Sequence, residues 1–136
     1  MNRLRRRLVD LVDDEYGSSP VEFVLVGTLL TLLTLGVLQF GLAVYVRNVV
    51  HDAAVEGAFH AALADTTEAD GAERTRQIIA RTVGTEYAGD VAARRTVALG
   101  QPSVEVTVHA PFPLVGLLGA PRMLEVSASA PLESLD

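Results

Sequence analysis

The chain contains no cysteine, no tryptophan and no lysine among its 136 residues. Without cysteine it has no disulfides, no thiol catalysis and no thiolate metal site. All eleven basic residues are arginines, they form no basic stripe, and the net charge is −6, so the composition does not favour nucleic-acid binding. Aromatic residues are also scarce. Beyond the longest apolar run only Phe59, Tyr87 and Phe112 remain, which predicts a thin core for any domain there.

The sequence also lacks a pattern of catalytic or metal-binding residues. His51 and His60 are nine positions apart and miss the i, i+4 spacing of helical metal ligands, and His109 is distant from both. There is no G-x-S-x-G motif, no phosphate-binding loop and no paired-carboxylate pattern. We therefore expect a protein that is not an enzyme and that uses no cofactor, metal or small-molecule substrate.

The longest apolar run, residues 23–46, contains 24 residues without a formal charge. As a helix it would be about 36 Å long, which exceeds the roughly 30 Å of a bilayer hydrocarbon core. Only Gln39 and threonines 28, 31 and 34 interrupt it, and a threonine hydroxyl can bond to its own helix. The run from Phe23 to Val46 is therefore predicted to be a single membrane-spanning helix.

The charges on either side of this run predict its orientation. Residues 1–17 form a basic leader with four arginines in the first seven positions, whereas only Arg47 follows the run closely. Arginine and lysine near a span favour the cytoplasmic side. We expect a plasma-membrane protein with a cytoplasmic N-terminus and an extracytoplasmic C-terminal domain.

A cleaved secretory signal peptide is an alternative explanation of the same run. The run is about twice the length of a usual signal-peptide h-region. The nearest small-residue cleavage pattern, Ala62-Leu63-Ala64, lies far beyond its end. Both observations disfavour this alternative, in which the C-terminal domain would be secreted.

The junction before the run, GSSPVEF at residues 17–23, is consistent with a helix start. Ser19 as N-cap, Pro20 at the first helical position and Glu22 at the third would form a capping box. A carboxylate in the first turn also complements the helix dipole. On this interpretation the junction has a purely structural role.

The helical periodicity continues beyond Val46, which predicts one helix from Pro20 to near Leu63, within a segment of residues 18–64. Small residues repeat along one side of this second half, and such residues allow another backbone to approach closely. We name them the small-residue seam and predict that they contact a partner helix. The seam comprises Val50, Ala53, Ala54, Gly57, Ala58 and Ala61.

Residues 65–136 are predicted to form a small extracytoplasmic domain. Residues 65–72 are polar and are predicted to be a linker, and residues 73–83 have the pattern of a short amphipathic helix that Gly84 ends. Apolar residues then alternate with polar ones at 103–109 and 124–130, which predicts two strands, with 96–99 as a weaker third. The predicted fold class is α+β: a long N-terminal helix, a short helix and an antiparallel sheet of two to three strands.

An apolar segment with three prolines and two glycines, residues 110–122, separates the two strong strands. An apolar loop of this length needs a partner. Two interpretations remain open. It folds onto its own sheet or helix, or it docks onto another subunit or the outer membrane leaflet.

The junction, the apolar run and the segment FGLAVYVRNVVHDAAVEGAFHAALA at residues 40–64 together resemble the TadE-like proteins. The tail, with VEVTVHAPFPLVGLLG and LEVSASA, is also similar. The resemblance implies a non-catalytic pseudopilin of the tight-adherence (Flp-type) pilus assembly system, with other pilin-like or assembly subunits as partners.

The resemblance also implies processing by a prepilin peptidase. The cut would fall between Gly17 and Ser18, and Glu22, followed by Phe23, would become the fifth residue of the mature chain. The freed α-amino group of a neighbouring subunit would pair with the Glu22 carboxylate, since a buried carboxylate needs a partner. The alternative is a permanently anchored single-pass protein whose outer domain binds an envelope partner.

Overall fold

A computed structural model describes residues 15–113 and 123–134 of the chain, with side chains from residue 18 onward. These residues form two α-helices, one short 3-10 turn and three strands. They are α1 (Glu15–Ala62), α2 (Glu68–Thr82), the 3-10 turn Thr85–Tyr87, β1 (Asp90–Ala98), β2 (Gln101–Pro111) and β3 (Met123–Pro131). The predicted α+β class, with its long N-terminal helix and small antiparallel sheet, is confirmed.

The chain divides into two compact units, one up to Leu38 and one from Gln39 onward. In the first unit, every side chain of residues 18–38 is exposed. The second unit contains the end of α1, together with α2 and the sheet. The last 24 residues of α1, 39–62, thus belong to the same unit as the C-terminal domain.

The three strands form an antiparallel sheet in the order β1-β2-β3. Along β2 the side chains of Val104, Val106 and Val108 are buried, as the alternating pattern predicted. Ala110, which was predicted to belong to the following loop, also lies in β2 and is buried. This apolar face packs in one core with residues from α1, α2 and the neighbouring strands. Its members include Val46, Val50, Ala53, Ala54, Ala58, Ile79, Val91, Leu124, Val126 and Ala130.

The hairpin between β1 and β2 has a two-residue turn at Leu99 and Gly100. Both residues have positive φ values, 52° and 78°, and Ala98 pairs with Gln101. Such turns favour Asn-Gly because both central residues need φ > 0. Leu99 occupies the asparagine position and is fully exposed. The sequence therefore lacks the residues that usually indicate such a turn. Strand β1 also begins at Asp90, well before the predicted third strand at residues 96–99.

Helix α2 begins at Glu68, five residues earlier than predicted, so the interpretation of residues 65–72 as a linker was wrong. The reason is a capping box. The Thr67 hydroxyl accepts a hydrogen bond from the Asp70 backbone N–H at 3.2 Å, and the Asp70 carboxylate accepts one from the Thr67 backbone N–H at 2.9 Å. The helix ends at Thr82, and Gly84 follows with φ 121°, as expected.

The end of the described chain lies beside the end of α1. The backbone N–H of Glu133, just after β3, donates to the carbonyl oxygen of Ala62 at 2.9 Å. The same residue accepts a hydrogen bond at its carboxylate from the backbone N–H of Ala64 at 3.4 Å. The first bond satisfies a carbonyl that a helix C-terminus leaves without an intrahelical partner.

Candidate functional site

The junction at residues 17–23 lies inside a continuous helix. Because α1 begins at Glu15, Ser19 is not an N-cap, and the capping-box interpretation was wrong. Ser18, Glu22 and Phe23 are all exposed on the helix surface. The helix that carries the candidate processing residues therefore starts before the candidate cut.

Pro20 lies inside the helix, at its sixth position. A proline beyond the first turn removes one backbone hydrogen bond, and its ring crowds the carbonyl four residues earlier. In a helix that began at Ser18, by contrast, Pro20 would be the third residue, where its N–H would have no intrahelical partner anyway. The proline is thus better suited to a helix that starts at Ser18 than to the longer helix of the uncut chain.

The helix surface after the junction is apolar on all sides. Each of its three threonines folds its hydroxyl back onto the helix and donates at 2.8 Å to a carbonyl four residues earlier, as expected from the sequence. The acceptors are Val24, Gly27 and Leu30. The threonines therefore add little unsatisfied polarity to a surface otherwise made of leucine, valine and phenylalanine.

The small-residue seam is buried within the chain's own fold. All six members, Val50, Ala53, Ala54, Gly57, Ala58 and Ala61, are buried in the second unit. The expected close approach of a second backbone does occur, but the partner backbone is α2 of the same chain. The helix that contacts the seam therefore belongs to the same chain, and the second unit already covers the seam.

The closest approach lies between Gly57 and α2. A Cβ atom on Gly57 would lie 2.7 Å from the carbonyl oxygen of Gly71 and would also meet the Thr75 hydroxyl. That hydroxyl is buried and contacts two carbonyl oxygens, Gly71 at 3.0 Å and Ala53 at 3.2 Å. Thr75 thus links α2 to α1 by a hydrogen bond as well as by packing.

The polar surface of the second unit holds several ion pairs between elements. Arg74 of α2 contacts Glu56 of α1 at 2.6 Å, and Arg95 of β1 contacts Glu68 at 2.6 Å. Exposed pairs of this kind contribute about 0–1 kcal/mol each. They align elements that the core already holds together.

The three histidines lie on two different elements of the fold. His109 of β2 stands between Asp90 and Glu125 of the neighbouring strands, with N–O distances of 3.4 and 3.7 Å. His51 and His60 lie on α1. Within residues 15–113 and 123–134 no group of histidine and acidic side chains could hold a metal ion.

Two carboxylates at the start of α2 have lowered pKa values. Hydrogen bonds from the Thr67 side chain and backbone lower the pKa of Asp70. Glu68 has a lowered pKa because its own backbone N–H and then the Arg95 side chain donate to its carboxylate. Asp70 is exposed and Glu68 is partly buried, and the hydrogen bonds of both carboxylates hold the start of α2 in place.

These features define a class of protein: within the described residues, one helix is long and apolar enough to cross a membrane, and a small α+β domain follows it. None of the most apolar part of that helix is buried within the chain. A long exposed apolar surface requires lipid or another protein around it.

The family model described as TadE-like protein matches residues 17–58, which is 42 of the 136 residues. The match confirms the resemblance to TadE-like proteins over the junction, the apolar run and most of the small-residue seam. It fits a single-pass membrane protein associated with tight-adherence pili. No curated protein and no solved structure matches the chain.

Proposed function

We propose that this chain is a TadE-like pseudopilin, a non-catalytic single-pass membrane component of a tight-adherence pilus assembly or secretion apparatus. One observation carries the proposal. The family match begins at Gly17, the residue after which the prepilin peptidase would cut, and continues through the exposed apolar helix.

In the proposed mature form the chain begins at Ser18. Pro20 then lies in the first helical turn, where a proline is tolerated. Glu22 becomes the fifth residue, and its exposed carboxylate stands at the head of an uncharged run. The same cut that removes the basic leader therefore also removes the unfavourable position of the proline.

Glu22 is the proposed contact to other subunits. A carboxylate that enters an apolar environment is costly unless it is paired. The cut creates an α-amino group at Ser18, which is charged at neutral pH because its typical pKa is about 8. We propose that the amino group of one subunit pairs with the Glu22 carboxylate of the next pilin-like or assembly subunit.

The proposed orientation places the N-terminus in the cytoplasm and the α+β domain on the outer side of the plasma membrane. The four arginines of the leader support this direction of insertion. Leu99→Cys offers a direct test, because Leu99 is fully exposed and the chain has no other cysteine. A membrane-impermeant maleimide added outside intact spheroplasts should label it, and labelling only after lysis would contradict the orientation.

The intact mass of the protein from its native membrane tests the processing. Loss of residues 1–17 is expected for the wild-type chain, and Gly17→Leu should retain the leader. Gly27→Leu is the matched control, because Gly27 has open space around it and lies ten residues beyond the cut; it should be processed normally.

The same measurement separates the alternatives. An intact chain that begins at Met1 would favour a permanently anchored protein whose outer domain binds an envelope partner. A chain that begins beyond Val46 would indicate a secreted domain released by signal peptidase. Normal maturation of Gly17→Leu would contradict processing at this glycine.

A further inference from the structure

One end of the sheet carries an exposed apolar surface. At this end, where β2 finishes and β3 begins, Pro111 pairs with Met123. Both side chains are exposed, Met123 to 59%, and Phe112 next to them is half-buried. We call Pro111, Phe112 and Met123 the β2–β3 end.

The sheet shares its core with the second half of α1, and this indicates where the β2–β3 end lies. The opposite end of β3 is held at Ala62 by the Glu133 hydrogen bond. From there β3 extends nine residues, about 30 Å at roughly 3.4 Å per residue. The helix from Ala62 back to Val46 covers only about 24 Å. Val46 shares the core with Ala110 and Leu124, the neighbours of the β2–β3 end. The strands therefore reach back to the level of Val46 or slightly beyond it.

The apolar run is longer than a bilayer core requires. Its 24 residues measure about 36 Å against about 30 Å of hydrocarbon, an excess of about 6 Å. That excess equals about four residues. At the C-terminal end of the run, these are residues 43–46. Within this turn Ala43 is 5% exposed and Val46 2% exposed, because the second unit covers them. The domain thus packs onto the helix at the depth where the helix leaves the bilayer.

We propose that the β2–β3 end contacts the apolar region of the leaflet that α1 leaves at Val46, and so forms a second membrane contact beside the helix. This inference rests on the proposed membrane span. An apolar surface at the interface gains from burial into the boundary between headgroups and acyl chains. Both the position of the surface and the exposure of Met123 fit lipid as its partner.

The charges near the β2–β3 end indicate which part of the lipid it binds. His109 lies two residues before Pro111 on β2, and it pairs across the sheet with Asp90 of β1 and Glu125 of β3. Both carboxylates lie within 4 Å of its ring nitrogens. Two carboxylates so close to the surface oppose attraction to anionic headgroups. The contact is therefore with acyl chains, and it should form in zwitterionic lipid and persist at high salt.

Single cysteines carrying an environment-sensitive fluorophore test the proposal in the full chain, reconstituted at low density in phosphatidylcholine vesicles. Met123→Cys and Pro111→Cys report on the β2–β3 end. Leu99→Cys at the opposite end of the sheet is the aqueous control, and Leu32→Cys in the apolar run is the control for the span. Spin-labelled lipids quench probes in the leaflet, iodide quenches probes in water, and circular dichroism confirms that each variant is folded.

We expect the probes at 123 and 111 to be quenched by shallow spin-labelled lipid and to be several-fold less sensitive to iodide than the probe at 99. If they are as sensitive to iodide as the probe at 99 while the probe at 32 is quenched by deep spin labels, the second contact does not exist although the span does. Protection from iodide without quenching by lipid would assign the surface to a protein and overturn the lipid contact. If the probe at 32 also escapes lipid quenching, the span itself fails, and the proposed function fails with it.

Discussion

The carbonyl oxygen of Gly57 lies 2.5 Å from the position that a Cβ atom on Gly71 would occupy. The two glycines belong to α1 and α2, so the helices approach each other backbone to backbone at this point. Ala61 lies beside Gly71 and closes the remaining space. A side chain on either glycine would force the two helices apart.

Gly71→Ala should therefore destabilise the fold, although alanine favours helix formation by about 1 kcal/mol over glycine. Overpacking in a filled core costs about 1–3 kcal/mol, and here the obstacle includes backbone, which yields little. Thermal unfolding by circular dichroism should show a clearly lower Tm. Gly89→Ala is the matched control, since a Cβ there meets no atom within 4 Å; a similar fall in both variants would contradict the packing argument.

The Thr75 hydroxyl should contribute measurably to stability. Thr75→Val keeps the shape of the side chain but removes the hydroxyl proton, which lies within reach of the Ala53 and Gly71 carbonyls. A loss of about 1–2 kcal/mol is expected for a buried hydroxyl of this kind. Thr82→Val serves as control, because its hydroxyl bonds to the Ile78 carbonyl at the exposed end of α2. Equal unfolding free energies for the two variants would show that the buried bonds add nothing.

Leu99→Asn should stabilise the protein. A leucine at φ 52° carries strain of about 1–2 kcal/mol, which asparagine partly relieves because it tolerates the left-handed region. Leu99 is fully exposed, so no packing is lost. The Tm should rise for Leu99→Asn and not for Val97→Asn, a substitution at an exposed strand position nearby. An unchanged or lower Tm for Leu99→Asn would contradict the claim that the backbone of Leu99 is strained.

The capping box predicts a pH dependence. The folded state binds the Asp70 proton more weakly than the unfolded state, because Thr67 lowers the pKa of Asp70. The stabilisation is therefore complete above the ordinary pKa of an aspartate and is lost as the pH falls through the lowered value. The Tm difference between wild type and Asp70→Asn should be present at neutral pH and should shrink in acid.

A carboxyl NMR titration provides the direct check of that mechanism. Thr67→Ala should raise the pKa of Asp70 towards its ordinary value. Thr66→Ala is the control, because the Thr66 hydroxyl donates to the carbonyls of His60 and Leu63 and not to Asp70. An unaltered Asp70 titration in Thr67→Ala would remove the capping box as the cause.

Glu22→Gln tests the proposed contact between subunits. The neutral side chain should leave membrane insertion and the thermal stability of the domain unchanged, since Glu22 is exposed and lies outside the unit that contains the sheet. Co-purification of pilin-like subunits or filament assembly should fall, whereas Glu73→Gln, an exposed acid on α2, should have no such effect. If Glu22→Gln assembles normally, the carboxylate is not the contact.

The sequence predicted the long helix and the strands β2 and β3 well, because the spacing of their apolar residues reflects burial directly. The alternation of Val104, Val106 and Val108 predicted the buried face of β2, and the apolar run predicted half of α1. The small-residue seam shows the limit of such reasoning. Residue size predicted that a backbone approaches Gly57, but it does not specify whose backbone that is. Only the fold of residues 68–82 resolves the question.

Three local features escaped prediction for separate reasons. The capping box at α2 has aspartate rather than glutamate at its third helical position, so the usual motif was absent. The hairpin turn has leucine where asparagine is typical. Ser19 and Pro20 have the pattern of a helix start, yet helix formation already extends back to Glu15. In the last case the pattern is better suited to a chain that begins at Ser18, and a processed precursor would explain the difference.

The uniform apolarity of residues 23–38 leaves the helix free to rotate about its axis but not to move along it. Rotation about its own axis presents the same kind of surface to lipid at every angle, because no side of it is polar. Displacement along the axis draws Glu22 at one end or Arg47 at the other towards hydrocarbon, which is costly. The helix therefore has a defined depth in the membrane but no preferred rotation about its own axis. In an assembly, neighbouring subunits, rather than lipid, would determine which side of it faces inward.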